Sequence, residues 1–328
     1  MPTFRASIVP GLEPAVQREL AQWKILSHPE KGGVEFSCDW PTIISAAPFL
    51  STIASLSLQL IREREFVRLS ELRIALDSLD LPQIWPAGTS IELNVSTRRS
   101  RLSRGDIIAD KARRILKAIL ETDAGHSDAI CRINIRVSDN KLWISAPLHQ
   151  NMLHRRGWRQ ENVRTPLREN WAAALLTIAG WEPNEPLVDP FCGSGTILIE
   201  AGRRALGLPT HMQEPFVWSP WYESSPATYK FSAERSALFG SDRHELSIKK
   251  AHINATAAQA QVHLRVADIR QLSPPPTSPG LVLTNPPYGI RSGKNPLAVY
   301  RSFGERLTQF TGWRVLFLAK SRTQAETV

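Results

Sequence analysis

Apolar and polar residues alternate along this chain in two different ways. Between 131 and 139 the sequence CRINIRVSD changes character at every residue, which predicts a strand in a sheet that is covered on one face only. The apolar set is Ile133, Ile135 and Val137, and the polar set is Arg132, Asn134 and Arg136. Beyond about residue 170, short continuous apolar runs such as LVLT at 281–284 alternate with helical stretches. This second pattern predicts a doubly wound parallel α/β sheet.

These patterns divide the chain into three predicted units. Residues 1–60 mix short apolar stretches, turn signals and one helical stretch, which is typical of a small α/β unit. Residues 61–155 contain a strand, a basic loop, an amphipathic helix and two further strands. Residues 156–328 hold the doubly wound unit, and its first helix is expected to begin with Thr165 as the cap and Pro166 in the first turn.

The amphipathic helix of the second unit separates its apolar and basic residues. The apolar face is predicted to contain Ile107, Ile108, Ala112, Ile115, Leu116 and Ile119. The residues that lie away from it are Lys111, Arg113, Arg114 and Lys117. The apolar side is therefore expected to pack on the protein, which leaves the basic side free to bind a partner.

The basic charge of the chain is concentrated around this helix. The segment from Asn94 to Arg168 contains 16 of the 40 Lys and Arg residues but only 7 of the 31 Asp and Glu residues, so it accounts for the whole net charge of +9. A localised basic surface is typical of proteins that bind nucleic-acid phosphates. A solvated basic face without a partner explains the segment equally well, and only a nucleotide-handling site elsewhere in the chain favours the first interpretation.

The remaining composition is ordinary for a folded protein, with 42% hydrophobic and 22% charged residues. No stretch matches a signal peptide or approaches the roughly 18 apolar residues that a membrane span requires. Cys38, Cys131 and Cys192 are far apart, and the histidines lack metal-ligand spacing. We therefore expect a cytoplasmic protein without membrane, disulfide or metal; the sequence does not indicate an oligomeric state.

A glycine-rich loop follows the first strand of the doubly wound unit. The sequence DPFCGSGT at 189–196 joins a strand to a helix, and its glycines allow a ligand to approach the backbone at a helix N-terminus. No GK[ST] follows, which disfavours a phosphate-binding loop, and Leu198 stands where GxGxxG requires glycine. Asp189, at the strand end, can instead bind an ammonium group.

Two further aspartates follow the next two strands. Asp242 ends ALFGSD and can accept hydrogen bonds from ribose hydroxyls, while Asp268 ends VHLRVAD and can accept from an adenine amine. Each alone is more often a helix cap or a surface residue. Together with the glycine loop they describe a ligand with an ammonium group, a ribose and an adenine, which is S-adenosylmethionine.

The strand LVLT ends in TNPPYG, where two prolines stop the sheet and fix an amide and an aromatic ring at its edge. In this order and spacing, DPFCGSGT, GSD, VAD and TNPPYG resemble the motifs of class I methyltransferases that act on an exocyclic amino group. LHRRGWR and RTPLRENWAAALL resemble the THUMP-domain RNA guanine-N2 methyltransferases, which are the ribosomal K/L group and its transfer-RNA relatives. The resemblance covers nearly the whole chain, and its motifs specify the superfamily more strongly than the target nucleotide.

This resemblance implies a Rossmann-like methyltransferase domain at 156–328, after a ferredoxin-like piece at 1–60 and a THUMP domain at 61–155. The implied ligands of S-adenosyl-L-methionine are Asp189, Phe191, Gly193, Gly195, Thr196, Asp242 and Asp268, with Thr165 and Arg168 closing the pocket. The implied catalytic residues are Asn285, Pro286, Pro287 and Tyr288. The expected RNA contacts are Arg98, Arg99, Arg101, Arg104, Lys111, Arg114, Arg155 and Arg156.

The chemistry of NPPY follows from the weakness of an aromatic amine as a nucleophile, because its lone pair is delocalised into the ring. Acceptors that hold the N–H bonds direct that lone pair, and the Asn285 side chain and the Pro286 carbonyl supply two. Tyr288 is expected to stack on the base, an interaction worth about 1–3 kcal/mol per base. The target must be unpaired or flipped out, and no metal or strong base is required.

Two other interpretations remain open. A DNA adenine or cytosine N-methyltransferase shares the NPPY chemistry but leaves the THUMP-like segment unexplained. A non-catalytic RNA-binding protein fits the short sequence after WRVLFLAK, since class I methyltransferases usually add two antiparallel strands there and only Ser321 to Val328 follow. Cys192 is expected to pack beside the cofactor and not to act as a nucleophile.

Overall fold

The protein is described by a computed structural model that covers residues 1–81, 90–120, 130–149, 151–163, 165–210, 237–288 and 296–328. The strands of the first half are β1 (Thr3–Ser7), β2 (Ser27–Glu30), β3 (Gly33–Ser37), β4 (Ser55–Glu65), β5 (Ser90–Arg98), β6 (Ile130–Ser138) and β7 (Lys141–Pro147). Its helices are α1 (Glu13–Gln22), α2 (Trp40–Ala46), α3 (Glu71–Asp77) and α4 (Gly105–Leu120). The seven strands form one sheet in the order β2-β3-β1-β4-β7-β6-β5.

The sheet of the first half is covered on one face, as the alternation in β6 predicts. Ile133, Ile135 and Val137 are buried, and they belong to one continuous core that also contains residues of β1, β4 and α4. The predicted boundary at residue 60 falls inside β4, which pairs with β1 through its first residues and with β7 over most of its length. The two N-terminal units therefore share a single sheet and core.

Helix α4 packs on this sheet with one change from the predicted apolar face. Its buried residues are Ile108, Ala112, Ile115, Leu116 and Leu120. Ile107 is 40% exposed, because it lies about 100° around the helix from Ile108, at the margin of the face. Lys111 and Arg114 are exposed, as predicted for the basic side.

The second half is a doubly wound parallel sheet, which confirms the predicted fold class. Its strands are β8 (Leu187–Asp189), β9 (Leu238–Asp242), β10 (His263–Val266), β11 (Leu281–Thr284) and β12 (Arg314–Phe317). Its helices are α5 (Glu169–Ile178), α6 (Thr196–Ala205), α7 (Glu245–Ala257), α8 (Pro296–Leu307) and α9 (Arg322–Glu326). The order is β10-β9-β8-β11-β12, so the chain changes direction across the sheet beside β8. Ligands of such sheets bind at that switch point.

Two sequence predictions about element ends in this half are wrong. Helix α5 begins at Glu169 with Arg168 as its N-cap, and Thr165 lies outside the helix, because a residue before proline favours an extended backbone. Strand β10 ends at Val266, so Asp268 does not end it. Asp268 instead caps a short 3-10 helix over Ile269–Gln271.

Hydrogen bonds from side-chain and backbone groups join the two halves of the chain. Arg18 of α1 donates to the carbonyl oxygens of Thr177 at 3.1 Å and Ile178 at 3.0 Å, at the end of α5. The Thr210 backbone N–H and hydroxyl both donate to the carbonyl oxygen of Pro48, at 2.7 and 2.9 Å. These contacts hold the first sheet against the helices that cover the second.

Arg156 lies in the same interface, so its predicted role as an RNA contact is wrong. Its side chain is only 1% exposed, and its guanidinium donates to the carbonyl oxygens of Leu153 and Ser51. It also lies 3.5 Å from the Glu200 carboxylate on α6. A buried cation needs such hydrogen-bonding partners, so the Arg156 guanidinium stays in the interior and does not reach the surface.

Among the helices in the described part of the chain, none combines the length and apolar character that crossing a membrane would require.

Candidate cofactor and catalytic site

The candidate site lies at the carboxyl ends of the central strands, where Asp189 ends β8. The Asp189 side chain is 2% exposed, and its carboxylate accepts a hydrogen bond from the Thr284 hydroxyl at 2.6 Å. The backbone N–H of Phe191 donates to the same oxygen at 3.1 Å. Because Thr284 is the last residue of β11, this hydrogen bond joins the strand before the glycine loop to the strand before NPPY.

Burial raises the pKa of Asp189 to about 7. The hydrogen bonds from Thr284 and Phe191 oppose that rise, and the nearby negative charge of Asp242 adds to it. A cation placed here would stabilise the ionised carboxylate and lower this pKa again. The site therefore has the electrostatic character expected of a pocket for an ammonium group.

The glycine loop turns back over the strand ends. Gly193 and Gly195 have φ angles of +54° and +87°, in the left-handed region that favours glycine. The Cys192 N–H donates to the Ser241 carbonyl at 3.0 Å, and the Gly193 N–H donates to an Asp242 carboxylate oxygen at 3.2 Å. Gly195 then caps α6. The loop is thus fixed to the end of β9 as well as to β8.

Close packing is a second reason for a glycine at position 195. A Cβ on Gly195 would lie 3.2 Å from Cδ1 of Ile199 and 3.3 Å from Cβ of Ala251. The loop therefore packs directly against α6 and α7 without room for a side chain. Thr196, which is buried, follows as the first residue of α6.

Asp242 is placed to accept from a ligand as well as from the protein. One carboxylate oxygen accepts from the His244 N–H at 2.8 Å and the other from the Gly193 N–H. Each oxygen keeps a second lone pair, and the residue is partly exposed. This geometry suits hydrogen bonds to a pair of hydroxyls.

Asp268 is less free than the sequence suggests. Its carboxylate accepts from Nε of Arg270 at 2.8 Å and from the Arg270 backbone N–H at 3.0 Å, while its own N–H donates to Gln271. These hydrogen bonds, chiefly from the Arg270 side chain, hold the pKa of Asp268 below its usual range. An adenine amine would have to share or exchange the Arg270 contact.

The NPPY residues form a turn at the end of β11. Pro286 is buried, Asn285 is partly buried and Tyr288 is 38% exposed. The Tyr288 hydroxyl donates to the side-chain oxygen of Asn285, so the two predicted catalytic side chains are in direct contact. Gln324 of α9, which sequence reasoning missed, donates to the Tyr288 carbonyl at 3.4 Å.

The remaining predicted cofactor residues differ in their surroundings. The ring of Phe191 packs edge-on against Phe303, with centroids 5.6 Å apart. The Thr196 hydroxyl accepts from Arg159 at 2.9 Å. Thr165 and Arg168 are exposed, and the Arg168 guanidinium lies 6.0 Å from the Trp171 ring centroid. Closure of the pocket by these two residues stays a prediction.

Cys192 is buried inside the loop, and burial raises its thiol pKa well above the ordinary value. Because the thiolate is the nucleophilic form, this environment disfavours a covalent role for Cys192. Within the described ranges, no group of three or more His, Cys, Asp or Glu side chains is arranged to hold a metal ion.

The predicted RNA-contact residues other than Arg156 lie on the surface. Those that are exposed are Arg98, Arg99, Arg101, Arg104, Lys111, Arg114 and Arg155. Arg99 pairs with Asp139 at 3.1 Å, and Arg104 pairs with Asp106 at 2.6 Å, both in exposed ion pairs that exchange at little cost.

An aromatic side chain of β7 lies beside an arginine of β6, on the open face of the first sheet. The Arg136 guanidinium lies 5.3 Å from the centroid of the Trp143 ring, across the β6–β7 pair. Sequence reasoning gave Trp143 no role. Its signal was its position in KLWISAP, opposite the buried residues Leu142 and Ile144.

A buried carboxylate, a left-handed glycine loop and an NPPY turn at the switch point of a doubly wound sheet together define the class I methyltransferase fold. A family model described as "RMKL-like, methyltransferase domain" matches residues 156–328, more than half of the chain. The chain therefore belongs to this methyltransferase-domain family, which confirms the group to which its motifs pointed. A second model, described as the RlmL ferredoxin-like domain, matches residues 3–52.

Curated relatives and solved structures agree with that placement. The ribosomal RNA large subunit methyltransferase K/L of Syntrophotalea carbinolica is 29% identical over 95% of this chain, which spans about half, 48%, of that relative. A putative RNA methyltransferase of Synechocystis sp. is 29% identical over 94% of this chain and 86% of its own length. The crystal structure of SMU.472, a putative methyltransferase complexed with SAH, superposes with a TM-score of 0.87 over 99% of this chain and 91% of its own. At 21% identity, it shows a shared fold.

Proposed function

We propose that this chain transfers a methyl group from S-adenosyl-L-methionine to the exocyclic N2 amine of a guanosine in ribosomal or transfer RNA. The hydrogen bond between Asp189 and Thr284 carries the proposal. It places the predicted ammonium-binding carboxylate beside the residue that precedes Asn285, so that cofactor pocket and amine-binding turn are adjacent. The names of the relatives, which include ribosomal RNA and putative RNA methyltransferases, support RNA as the substrate.

The residues at the strand ends fit the cofactor. Asp189 offers a buried carboxyl group whose pKa of about 7 would fall when an ammonium group binds beside it, and Asp242 offers lone pairs for ribose hydroxyls. The glycine loop brings backbone and the N-terminus of α6 to the same edge. Asp268 would accept from the adenine amine after sharing its contact with Arg270.

The NPPY turn would hold the target amine. When bound, S-adenosyl-L-methionine supplies an electrophilic methyl group. The side-chain oxygen of Asn285 has two lone pairs. It can therefore accept a hydrogen bond from one N–H of the amine while it also accepts one from the Tyr288 hydroxyl. The Pro286 carbonyl would hold the second N–H bond, and the partly exposed ring of Tyr288 would stack on the base.

The first half of the chain would bind the RNA in the cytoplasm, with residues 61–155 acting as a THUMP domain. Its exposed arginines offer phosphate contacts. The Arg136–Trp143 pair adds a surface on which an unpaired base can stack.

The test of this function is transfer of a tritiated methyl group from S-adenosyl-L-methionine to total unmodified RNA, followed by mass spectrometry of the nucleosides. We expect labelled N2-methylguanosine in one RNA size class. Label in DNA that resists ribonuclease would favour a DNA methyltransferase instead. Binding of cofactor and RNA without transfer would favour the non-catalytic interpretation.

A second prediction concerns the basic loop. Replacing Arg98, Arg99, Arg101 and Arg104 with Ala should weaken RNA binding and reduce the magnitude of the slope of log K against log[salt] by roughly 3. The reason is that fewer counterions are released from the RNA when four phosphate contacts are missing. Cofactor affinity should not change. RNA binding is measured by fluorescence anisotropy at several salt concentrations.

The control replaces Arg73 and Arg322 with Ala. Both are exposed and ion-paired, as Arg99 and Arg104 are, but they lie outside the basic segment. We expect this control to keep the wild-type salt slope. An equal loss of slope in both proteins would show that the loop makes no specific contribution.

A further inference from the structure

Residues 159–163, which we call the strap, link the two halves of the chain and lie against the glycine loop. Arg159 is the first residue of the strap. Its guanidinium donates to the Ser194 hydroxyl at 3.2 Å and to the Thr196 hydroxyl at 2.9 Å, on either side of Gly195. The same group donates to the Leu167 carbonyl at 3.1 Å and to the Glu169 carboxylate at 2.7 Å. One side chain therefore joins the loop, the strap and the start of α5.

Asn254 of α7 holds the same parts from the other direction. It is fully buried, and its side-chain oxygen accepts from the backbone N–H groups of Gln160 and Glu161, both at 2.9 Å. Its amide donates to the Glu161 carbonyl at 2.9 Å and to the Ser194 carbonyl at 3.3 Å. Among the described residues, the side-chain hydrogen bonds of Asn254 thus go to the strap or to the glycine loop.

The strap continues over the first glycine of the loop. A Cβ on Gly193 would lie 3.8 Å from Cγ2 of Val163, so the end of the strap borders that residue. Lys250 of α7 donates to the Asn162 carbonyl at 2.6 Å and keeps this part of the strap on the helix.

The loop needs such support because two of its residues are glycines in the left-handed region. Glycine gains the most conformational freedom when a structure loosens. Arg159 and Glu169 are both largely buried, so their charge-assisted hydrogen bond is a strong anchor. The anchored guanidinium is the group that donates to Ser194 and Thr196, at the start of α6.

We propose that Arg159 and Asn254 are positioning residues that hold the glycine loop in the shape that receives the cofactor, without touching the cofactor themselves. This inference rests on the proposed function, because it concerns the same pocket. Sequence reasoning counted Arg159 only among the basic residues of the segment from Asn94 to Arg168. The only signal of its role is its place at the end of LHRRGWR, one of the motifs of the resemblance.

The test uses Arg159→Lys in the full chain. Lysine keeps the charge beside Glu169, but a single ammonium cannot reach Ser194, Thr196 and Leu167 as the guanidinium fork does. We expect the Kd for S-adenosylhomocysteine, measured by titration calorimetry, to rise at least about tenfold because preorganisation of the loop is lost. Turnover at saturating cofactor should change much less than KM for the cofactor.

A matched control is Arg314→Lys. Like Arg159, Arg314 donates to backbone carbonyls and to a carboxylate, here those of Ala179, Gly180 and Glu185. It lies at the amino end of β12, on the side of the sheet opposite the candidate site. This control should lower the Tm to a similar extent and leave the Kd for S-adenosylhomocysteine unchanged. Ser194→Ala, which removes only one acceptor on the loop, provides a milder second variant with an intermediate rise in Kd.

Hydrogen exchange gives a readout that does not need the cofactor. In Arg159→Lys and Asn254→Ala, the amides of Gly193 and Gly195 should exchange faster while amides of β8 and β11 keep wild-type protection. Wild-type exchange and wild-type Kd in these folded variants would overturn the inference and leave the proposed function intact. If the wild-type protein itself fails to bind S-adenosylhomocysteine, the proposed function fails, and the exchange rates of the loop still decide whether these residues position it.

Discussion

Asn285→Ala is expected to lower the rate of methyl transfer by roughly a hundredfold to a thousandfold, the range observed when one preorganised hydrogen-bonding group is removed from an active site. Asn285 is fixed by the strand end on one side and by the Tyr288 hydroxyl on the other. Alanine leaves the target amine without its side-chain acceptor, so its lone pair is no longer directed at the methyl group. The measurement is single-turnover transfer with saturating cofactor.

Tyr288→Phe is the matched control, because it removes the hydroxyl that contacts Asn285 but keeps the ring for stacking. We expect a smaller loss of rate from this variant. Neither variant should change the affinity for S-adenosylhomocysteine by more than a few-fold. Wild-type turnover in Asn285→Ala would show that the amine is held elsewhere, and the assignment of NPPY would then be abandoned.

Asp189→Asn is expected to change how stability depends on pH. Burial raises the pKa of Asp189 from 3.8 to about 7, so the folded protein holds this proton more tightly than the unfolded chain. The resulting stabilisation is fully present below pH 3.8 and is lost as the pH rises through about 7. The shift corresponds to a free energy on the order of 4 kcal/mol. Asparagine cannot titrate and should lack this dependence.

The measurement is urea unfolding of both proteins between pH 4.5 and 8. The difference between their free energies of unfolding isolates Asp189 from the other carboxyl groups. As the pH rises, the free energy of unfolding of the wild type should fall relative to that of Asp189→Asn. Saturating S-adenosylhomocysteine should reduce this trend, because its ammonium group would stabilise the ionised carboxylate. Parallel curves for the two proteins at every pH would contradict the raised pKa.

The positions that the sequence predicts well are those where local pattern and topology coincide. Asp189, Asp242 and Asn285 each lie at or directly after the end of a buried strand, and parallel strands bring their carboxyl ends to one edge. Asp268 was placed less well, because its local role as a cap does not need a strand end. Spacing in the sequence alone does not distinguish these two uses of an aspartate.

The arginines of LHRRGWR, at 153–159, show what could not be predicted from the sequence. Arg155, Arg156 and Arg159 are close together in one basic stretch, yet Arg155 is exposed while Arg156 and Arg159 bond carboxylates on α6 and α5. Whether such a residue meets RNA or the interior depends on how two domains pack. The positive charge of this stretch does not tell which of its arginines are exposed. The prediction that Arg156 contacts RNA is therefore wrong.

The contacts of Arg156, Arg18 and Thr210 between the two halves have a consequence for the proposed choice of substrate. They set the separation between the exposed arginines of the first half and the NPPY turn before any RNA arrives. A nucleic acid that binds both places must therefore present its target base at a fixed distance from the point where its backbone is gripped. If the proposed RNA contacts are right, we expect the target nucleotide to be selected by its distance from the bound backbone and by the shape of the RNA more than by the neighbouring sequence.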